Sequence, residues 1–469
     1  MNDETNIRLS HLLLIAILFQ RSNLSCHSFY QQYRCQHYHG QKSSNNNFNF
    51  YFMNDNSRKV VGYQNTIVNS INNNENHIDN PDIGNCNDEE SIINQQLREF
   101  FMRKDIFEIA NRVMDTYISD SFGSGTTKSS KGMLARCNKD NDDEADLLDP
   151  LFFNKRSYNQ SSTTLIESTS SFLDQKKKGQ SFKITVAYKG SSYCGWQIQP
   201  NNEVPSVQQT LIEILDPILG NNDKSNNRGK QKIKSIDIRV CGRTDAGVNA
   251  MAQVCRVRTS RSSNEVTAID VQNRINSLGQ STLCCTNVER VNDKFHPTFG
   301  ARSRAYVYLI DTDKLNTFLK SIVTVVNYDP IERMEHILNQ MLSKVEGLEL
   351  DYIGLSYGKV KTSTTLCTLS RARVSCVSVN DAIEGSTEQH SSTNEALCFE
   401  FVGDRFLRRM IRIMVSTLLN LALQEIHDFD ENFDQCTFLK LIQACDRKLS
   451  SKPAAPDGLI FVAGSFDEK

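Results

Sequence analysis

The sequence has few of the features that mark several common classes of protein. Its net charge is only −2, with 53 Lys and Arg against 55 Asp and Glu, so bulk charge predicts no attraction to nucleic acid. Its 14 cysteines include no C-x-x-C pair, and the close pair Cys284 and Cys285 fits no zinc template. The sequence also lacks a nucleotide-binding glycine loop and the sequence motifs of a Ser-His-Asp catalytic triad. It therefore predicts ordinary thiols in a reducing compartment and no metal or nucleotide cofactor.

Long apolar runs are scarce as well. The N-terminal run Leu12–Phe19 is too short to span a bilayer, although it fits the apolar part of a signal peptide. Asp3 and Glu4 make the preceding residues acidic, so a buried hydrophobic element is an equal alternative. As a leader, the run favours an organelle, a plastid or mitochondrion, over cytoplasm or nucleus, with no membrane attachment of the mature protein. A secreted or membrane-anchored interaction protein is a further alternative.

The amino-acid composition of the chain changes several times before its C-terminal part. A segment rich in Asn, Ser, His and Gln buries little and is predicted to be disordered. Apolar residues then recur at three- and four-residue spacing, which indicates amphipathic helices that dock on the rest of the protein or, less favoured, bind a partner. The predicted divisions are 1–30 a candidate leader, 31–90 disordered, 91–120 amphipathic helices, 121–179 a linker, and 180–300 and 301–469 two folded subdomains.

The stretch Cys241–Gln253, CGRTDAGVNAMAQ, carries the strongest chemical signal. The preceding residues Lys234–Val240 alternate between apolar and polar, which predicts a strand followed by a loop. Arg243 and Asp245 lie two apart between two glycines, so the loop can present a carboxylate beside a guanidinium. The alternative is a plain turn, because Asp and Gly dominate turns.

Periodicity predicts the remaining elements of the two subdomains. Strands are expected at 182–188, 254–258, around 304–310, 372–379 and 396–402, and helices at 206–216, 269–278 and 331–345. Ser206 is the expected N-cap of the first helix and Pro217 its end, and Leu278 is expected on the buried face of the second. Arg304, with the tyrosines at 306 and 308, gives one strand an aromatic and basic face.

A further signal is the stretch Asp404–Leu419, DRFLRRMIRIMVSTLL, which is predicted to be one helix. Four arginines recur in it at three- and four-residue spacing and therefore share a helical face: Arg405, Arg408, Arg409 and Arg412. The positive charges of these arginines repel one another unless anions lie close by. Phosphates and a carboxylate are the obvious candidates for such anions. The alternative is an exposed basic face with no particular ligand.

Five sequence blocks, which together span roughly 182–462, resemble the TruA family of tRNA pseudouridine synthases in content and in order. The signature G-R-T-D-A-G-V-N-A agrees with the family at eight of nine positions, with Asn249 in place of histidine. The other blocks are Y-x-G-x-x-Y-x-G-W-Q from Tyr188, F-H-x-x-F-x-A-R-S-R-x-Y-x-Y from Phe295, F-L-x-x-M-I-R from Phe406 and A-P-x-G-L-x-F from Ala455. Two further departures are Ile413 for the usual asparagine and Ser416 for the usual glycine.

The resemblance implies a fold and a function. The expected fold is α/β (α+β), with two ferredoxin-like, RRM-like subdomains whose antiparallel sheets join around an RNA cleft. The expected activity is that of an isomerase, which converts uridine to pseudouridine in the anticodon stem-loop of tRNA. The resemblance further implies a homodimer and no cofactor or metal. The alternative is an RNA-binding or assembly factor that keeps the fold without turnover.

The resemblance also assigns roles to residues. Asp245 is the expected catalytic carboxylate, acting as nucleophile or as base. Arg412 pairs with it, Tyr306 lies against the target base, and Arg243 is a second partner or a wedge that replaces the flipped nucleotide. The residues expected to bind substrate are Arg405, Arg408, Arg409 and Arg304.

Overall fold

The computed structural model describes residues 100, 103–123, 134–136, 180–200, 202–220, 236–259, 261, 265–279, 281–322, 328–360, 362–379, 395–428 and 433–467. All of them lie in the compact unit Leu97–Lys469. The predicted leader, the polar segment 31–90 and most of the predicted linker lie outside the described residues. Among the described helices, none is long and apolar enough to cross a membrane.

The first half of the sheet comes from residues 180–291. Its strands are β2 (Gln180–Tyr188), β3 (Asp237–Val240), β4 (Asn249–Thr259) and β5 (Leu283–Val291). Strand β2 lies between β4 and β5, β3 pairs with β4, and every one of these pairs is antiparallel. Helices α2 (Val207–Leu219) and α3 (Ala268–Leu278) pack on each other, and α3 packs on β5.

The second half of the sheet comes mainly from residues 301–466. Its strands are β6 (Ala301–Asp311), β7 (Glu349–Asp351), β8 (Leu366–Val379), β9 (Glu395–Gly403) and β10 (Leu459–Phe466), with β1 (Leu134–Arg136) added at the edge of β8. The antiparallel order is β8-β9-β6-β10, and β7 pairs with β8. Its helices are α4 (Thr312–Ile322), α5 (Pro330–Ser343), α6 (Met410–Asp428) and α7 (Thr437–Gln443).

One parallel pair joins the two halves into a single sheet. Strand β10 runs parallel to the beginning of β4, with Ile460 opposite Asn249 and Phe461 opposite Ala250. Because β2 fills one edge of β4, β3 and β10 share the other edge, at its two ends. The loop from β3 to β4 therefore lies at the seam between the halves. The predicted α/β fold with joined antiparallel sheets is confirmed.

Helix α1 (Glu108–Gly123) packs against strands of both halves. Its buried face consists of Ile109, Ala110, Val113, Met114, Tyr117 and Ile118. They share one core with Ala187 and Met251 from the first half and with Val307 and Ile460 from the second. Helix α1 therefore docks on the sheet through its apolar face.

Several predicted boundaries and faces are wrong. Helix α2 does begin after Ser206, whose side chain accepts a hydrogen bond from the Gln209 amide, but it runs past Pro217. The additional turn buries Leu219, and this burial offsets the hydrogen bond that proline cannot donate. Leu278, expected to be buried, is 44% exposed because the buried face of α3 ends with Ile275.

The predicted helix 404–419 is also wrong at its start. Helix α6 begins only at Met410, and Arg409 has a left-handed backbone with φ of 58°. A residue in that region cannot continue a right-handed helix, so the residues before it form a turn. The arginine stripe is therefore divided between this turn and Arg412 in the first turn of α6.

Candidate active site

The signature loop is short and is held by hydrogen bonds at both ends. Strand β4 begins at Asn249, so the loop covers only the first part of the predicted stretch. The Gln253 side chain donates to the Gly242 carbonyl at 2.7 Å, and the Trp196 amide donates to the Thr244 carbonyl at 3.1 Å. Gly247 has φ of 81°, and a Cβ there would lie 2.8 Å from the Pro456 ring. Only glycine fits this close approach without strain.

Asp245 contacts two arginines from the other half of the sheet. Its Oδ2 accepts a hydrogen bond from Arg412 Nη1 at 2.9 Å, and Arg409 Nε lies 3.6 Å from the same oxygen. The Asp245 side chain is 28% exposed and that of Arg412 only 11%. A guanidinium this close gives the carboxylate a charged hydrogen-bond partner. The structure thus brings together two residues that lie 167 positions apart in the sequence.

Arg412 is itself held by the closing block of the sequence. Its Nε donates to the Ala454 carbonyl at 2.7 Å, and its own carbonyl accepts from the Ala454 amide at 3.0 Å. The next residue, Ala455, accepts a hydrogen bond from the Tyr308 hydroxyl at 2.9 Å. The guanidinium that faces Asp245 therefore has a fixed direction.

Tyr306 lies at the floor of this site and is only 8% exposed. Its ring meets Phe406 and Phe461 edge to face, with centroids 5.1 and 5.0 Å apart. A Cβ built on Gly242, in the signature loop, would lie 3.5 Å from its hydroxyl. Burial raises the pKa of Tyr306 well above its usual value, and the nearby Asp245 charge contributes in the same direction. The phenol is therefore neutral at physiological pH.

Within the described residues, Arg243 is not paired with Asp245, which was one of its two predicted places, and Arg304 is buried rather than open to a substrate. Arg243 is exposed. Arg304 is only 9% exposed, and it donates to the carbonyls of Cys241, Thr298 and Asp404. A guanidinium committed to three backbone carbonyls positions the loop, so we withdraw Arg304 from the substrate-binding residues.

Tyr357 is a site residue that the sequence did not indicate. The Arg409 guanidinium lies over its ring, 4.0 Å from the centroid, and that of Arg408 lies 5.5 Å away. A guanidinium over an aromatic face is attracted by the ring. Tyr357 therefore helps to hold Arg409 beside Asp245, while Arg408 and Arg405 are exposed. Tyr357 belongs to no block of the resemblance, and its spacing gives no signal.

The three departures from the family pattern are accommodated locally. Asn249 is fully buried; its side chain accepts from the Gly190 amide at 2.7 Å and donates to the Asp457 carbonyl at 3.1 Å. The Ser416 hydroxyl lies 2.6 Å from the Lys452 carbonyl. Ile413 is fully buried in the core. Asn249 thus links the opening block, the signature strand and the closing block.

Metal ligands are not clustered in this region. In the described ranges, no three His, Cys, Asp or Glu side chains lie close enough together to hold a metal ion. The chemistry that the site offers consists of one carboxylate, its arginines and a neutral phenol.

Comparisons with known proteins agree with this geometry. Residues 352–467 match the family model described as tRNA pseudouridine synthase. A relative named tRNA pseudouridine synthase A from Ligilactobacillus salivarius is 27% identical over 292 residues, which cover 62% of this chain and 98% of the relative. Relatives of the same name include one from Listeria monocytogenes, 28% identical with coverages of 59% and 96%, and one from Francisella philomiragia, 25% identical with coverages of 62% and 95%.

The joined half-sheets and these matches define an isomerase of the pseudouridine synthase class. Over the matched residues the chain is similar to the TruA family of tRNA pseudouridine synthases. The predicted resemblance is confirmed.

Proposed function

We propose that this protein isomerises uridine to pseudouridine in tRNA, with Asp245 as the catalytic carboxylate. The observation that carries the assignment of the site is the 2.9 Å contact between Asp245 and Arg412 at the seam of the sheet. The carboxylate is partly exposed, so an everted nucleotide can reach it, and it is hydrogen-bonded to a largely buried guanidinium. An anion placed in this way can act on a sugar carbon without a second substrate.

The proposed reaction is balanced within one nucleotide. The bond between N1 of uracil and C1′ of ribose breaks, the base turns over, and a bond from C5 to C1′ forms. The proton on C5 is lost and N1 gains one, so no redox carrier is needed. Asp245 acts at C1′ as nucleophile, or as a base on the sugar. The neutral phenol of Tyr306 packs against the base and can donate a hydrogen bond, but it cannot itself take the C5 proton without first losing its own.

The exposed arginines suit the backbone of the RNA. Arg405 and Arg408 are exposed in the turn before α6, and Arg243 is exposed in the signature loop. We assign the first two to phosphate contacts and Arg243 to the space that the flipped nucleotide leaves. Phosphate contacts release counterions, so tRNA affinity is expected to fall as salt rises, with a slope that decreases when either arginine is removed.

The finer parts of the proposal are the anticodon stem-loop as the modified region, a homodimeric enzyme and an organellar location. The first two rest on the family resemblance, and the third rests on the apolar run Leu12–Phe19. Light scattering of the purified protein tests the dimer. A reporter fused to residues 1–40 tests the location, because an organelle-directed leader carries the reporter into that organelle.

The experiment that tests the proposed function maps pseudouridine in tRNA incubated with purified protein. Wild type is expected to form pseudouridine, whereas Asp245→Asn, which keeps the shape and removes the charge, is expected to form none. The matched control is Glu289→Gln, which removes an exposed carboxylate on the edge strand β5 that pairs with Lys183 on β2. An Asp245→Asn variant with wild-type product refutes the assigned role. Binding of tRNA by a wild type that makes no product supports the RNA-binding factor instead.

A further inference from the structure

Phe299 is an apolar side chain in an unusual place. It is 85% exposed, whereas the next most exposed large apolar side chain in the described part of the chain, Ile269, is 57% exposed. Burying a phenylalanine gains about 1.5–3 kcal/mol, so one left almost wholly in water calls for an explanation. Phe299 lies in the turn between β5 and β6, away from the core.

The ring is nevertheless held in a defined turn. The Phe299 amide donates to His296 Nδ1 at 3.3 Å, and the Gly300 amide donates to the His296 carbonyl at 2.7 Å. The two rings face each other with centroids 4.5 Å apart and planes 31° apart. A Cβ on Gly300 would lie 2.8 Å from the His296 carbonyl, so the turn requires glycine there. The exposed phenylalanine is therefore supported on one side by an imidazole.

This turn is fastened to the signature loop. The Thr298 hydroxyl donates to the Val240 carbonyl at 2.6 Å, immediately before the loop begins. Arg304 Nη2 donates to the Thr298 carbonyl at 2.6 Å and to the Cys241 carbonyl at 3.2 Å. The exposed ring thus sits one residue from a junction that also fixes the first residue of the catalytic loop.

Two arginines and one aspartate lie near the turn. Burial lowers the pKa of His296, and the neighbouring Arg256 and Arg239 lower it further while Asp237 opposes them, so the imidazole presents a neutral aromatic surface. The Arg239 side chain is 55% exposed, and its Nε lies 3.0 Å from Asp237. An exposed aromatic side chain beside guanidinium groups is the combination with which proteins bind single-stranded nucleic acid.

We propose that Phe299, supported by His296, is a stacking platform for an unpaired RNA base close to the target nucleotide. This inference rests on the proposed function and adds a base contact to it. A base on the free face of the phenylalanine covers the exposed ring, and Arg239 lies near the accompanying phosphates. Because every base has a π-face, the contact contributes to affinity with little sequence preference.

The test compares variants of Phe299 in tRNA binding and in single-turnover pseudouridine formation. Phe299→Ala is expected to weaken tRNA binding about 5- to 150-fold, the equivalent of about 1–3 kcal/mol for one stacked base. Phe299→Tyr is expected to keep the affinity, and Phe299→Leu, apolar but not aromatic, to lose most of it. Ile269→Ala on α3 is the matched control and is expected to bind as wild type.

Wild-type affinity for tRNA in Phe299→Leu or Phe299→Ala overturns the platform. If such a variant also has a lower molecular mass in solution than wild type, the ring lies instead in a contact between two copies of the chain. Circular dichroism of each variant checks that the turn has not unfolded the protein. Failure of the proposed function is seen separately, as a wild type that binds tRNA and forms no pseudouridine.

Discussion

Arg412 makes two contacts, and the loss of each is expected to have its own measurable effect. It donates through Nη1 to Asp245 at 2.9 Å and through Nε to the Ala454 carbonyl at 2.7 Å. A hydrogen bond to a charged group contributes about 1.5–3 kcal/mol. If the first contact is expressed fully in the transition state, Arg412→Ala lowers the rate of the chemical step about 10- to 150-fold. The second contact predicts a loss of about 1–3 kcal/mol in the free energy of unfolding, because a buried carbonyl is left unpaired.

Arg412→Lys separates charge from geometry. A single ammonium on a flexible stem can replace one of the two contacts but not both, so an intermediate rate is expected. The rate is measured in single turnover with enzyme in excess over tRNA, and the free energy of unfolding by urea titration. Arg103→Ala is the control, because it removes an exposed arginine whose partner is Asp105 and not Asp245. If Arg412→Ala keeps the wild-type rate of the chemical step, the contact between this guanidinium and Asp245 does not contribute to catalysis.

Two further predictions concern stability. Met114 is fully buried in α1, so Met114→Ala is expected to lower the free energy of unfolding by about 2–5 kcal/mol. Ser119 is exposed on the same helix, and Ser119→Ala is expected to change this free energy by less than about 0.5 kcal/mol. Equal urea midpoints of the two variants would contradict the docking of α1. Burial raises the pKa of Tyr188 to about 12 from 10, so the stability that its protonated phenol contributes is complete below pH 10 and is lost as pH rises towards 12. Urea titrations across that range should show a smaller loss in Tyr188→Phe than in wild type, and identical losses would rule out this contribution.

Local patterns in the sequence were sufficient for most of the sheet. Alternation predicted a strand at 182–188, and the structure has Gln180–Tyr188; apolar spacing predicted the helical segment that became α1. The errors arose where tertiary burial outweighs a local rule. Pro217 was expected to end a helix, yet the helix continues because Leu219 gains a buried position.

The site was predicted less completely, for a different reason. Asp245 and Arg412 could be paired only through the resemblance, because no local rule joins residues on different halves of a sheet. The part played by Arg409 depends on its left-handed backbone and on the ring of Tyr357, 4.0 Å from its guanidinium. Neither feature has a signature in the sequence, since a run of arginines at helical spacing predicts a continuous helix.

Helix α1 precedes the part of the chain that resembles the family, and it contacts both halves of the sheet. Asp115 forms an ion pair with Lys189 at 2.6 Å in the first half, and Glu108 lies 3.6 Å from Lys314 in the second. Exposed ion pairs of this kind add little, so the buried apolar face must hold the helix in place.

The residue just before this helix reaches the structure that orients Arg412. Phe107 is fully buried, and its ring meets that of Tyr308 edge to face at 5.9 Å. The Tyr308 hydroxyl in turn donates to the carbonyl of Ala455, next to the residue that accepts from Arg412. A Cβ on Gly458 would lie 2.7 Å from the Phe107 ring, so the closing block and the extension are in direct contact. A segment outside the family's part of the chain thus supports the loop that directs the guanidinium toward Asp245.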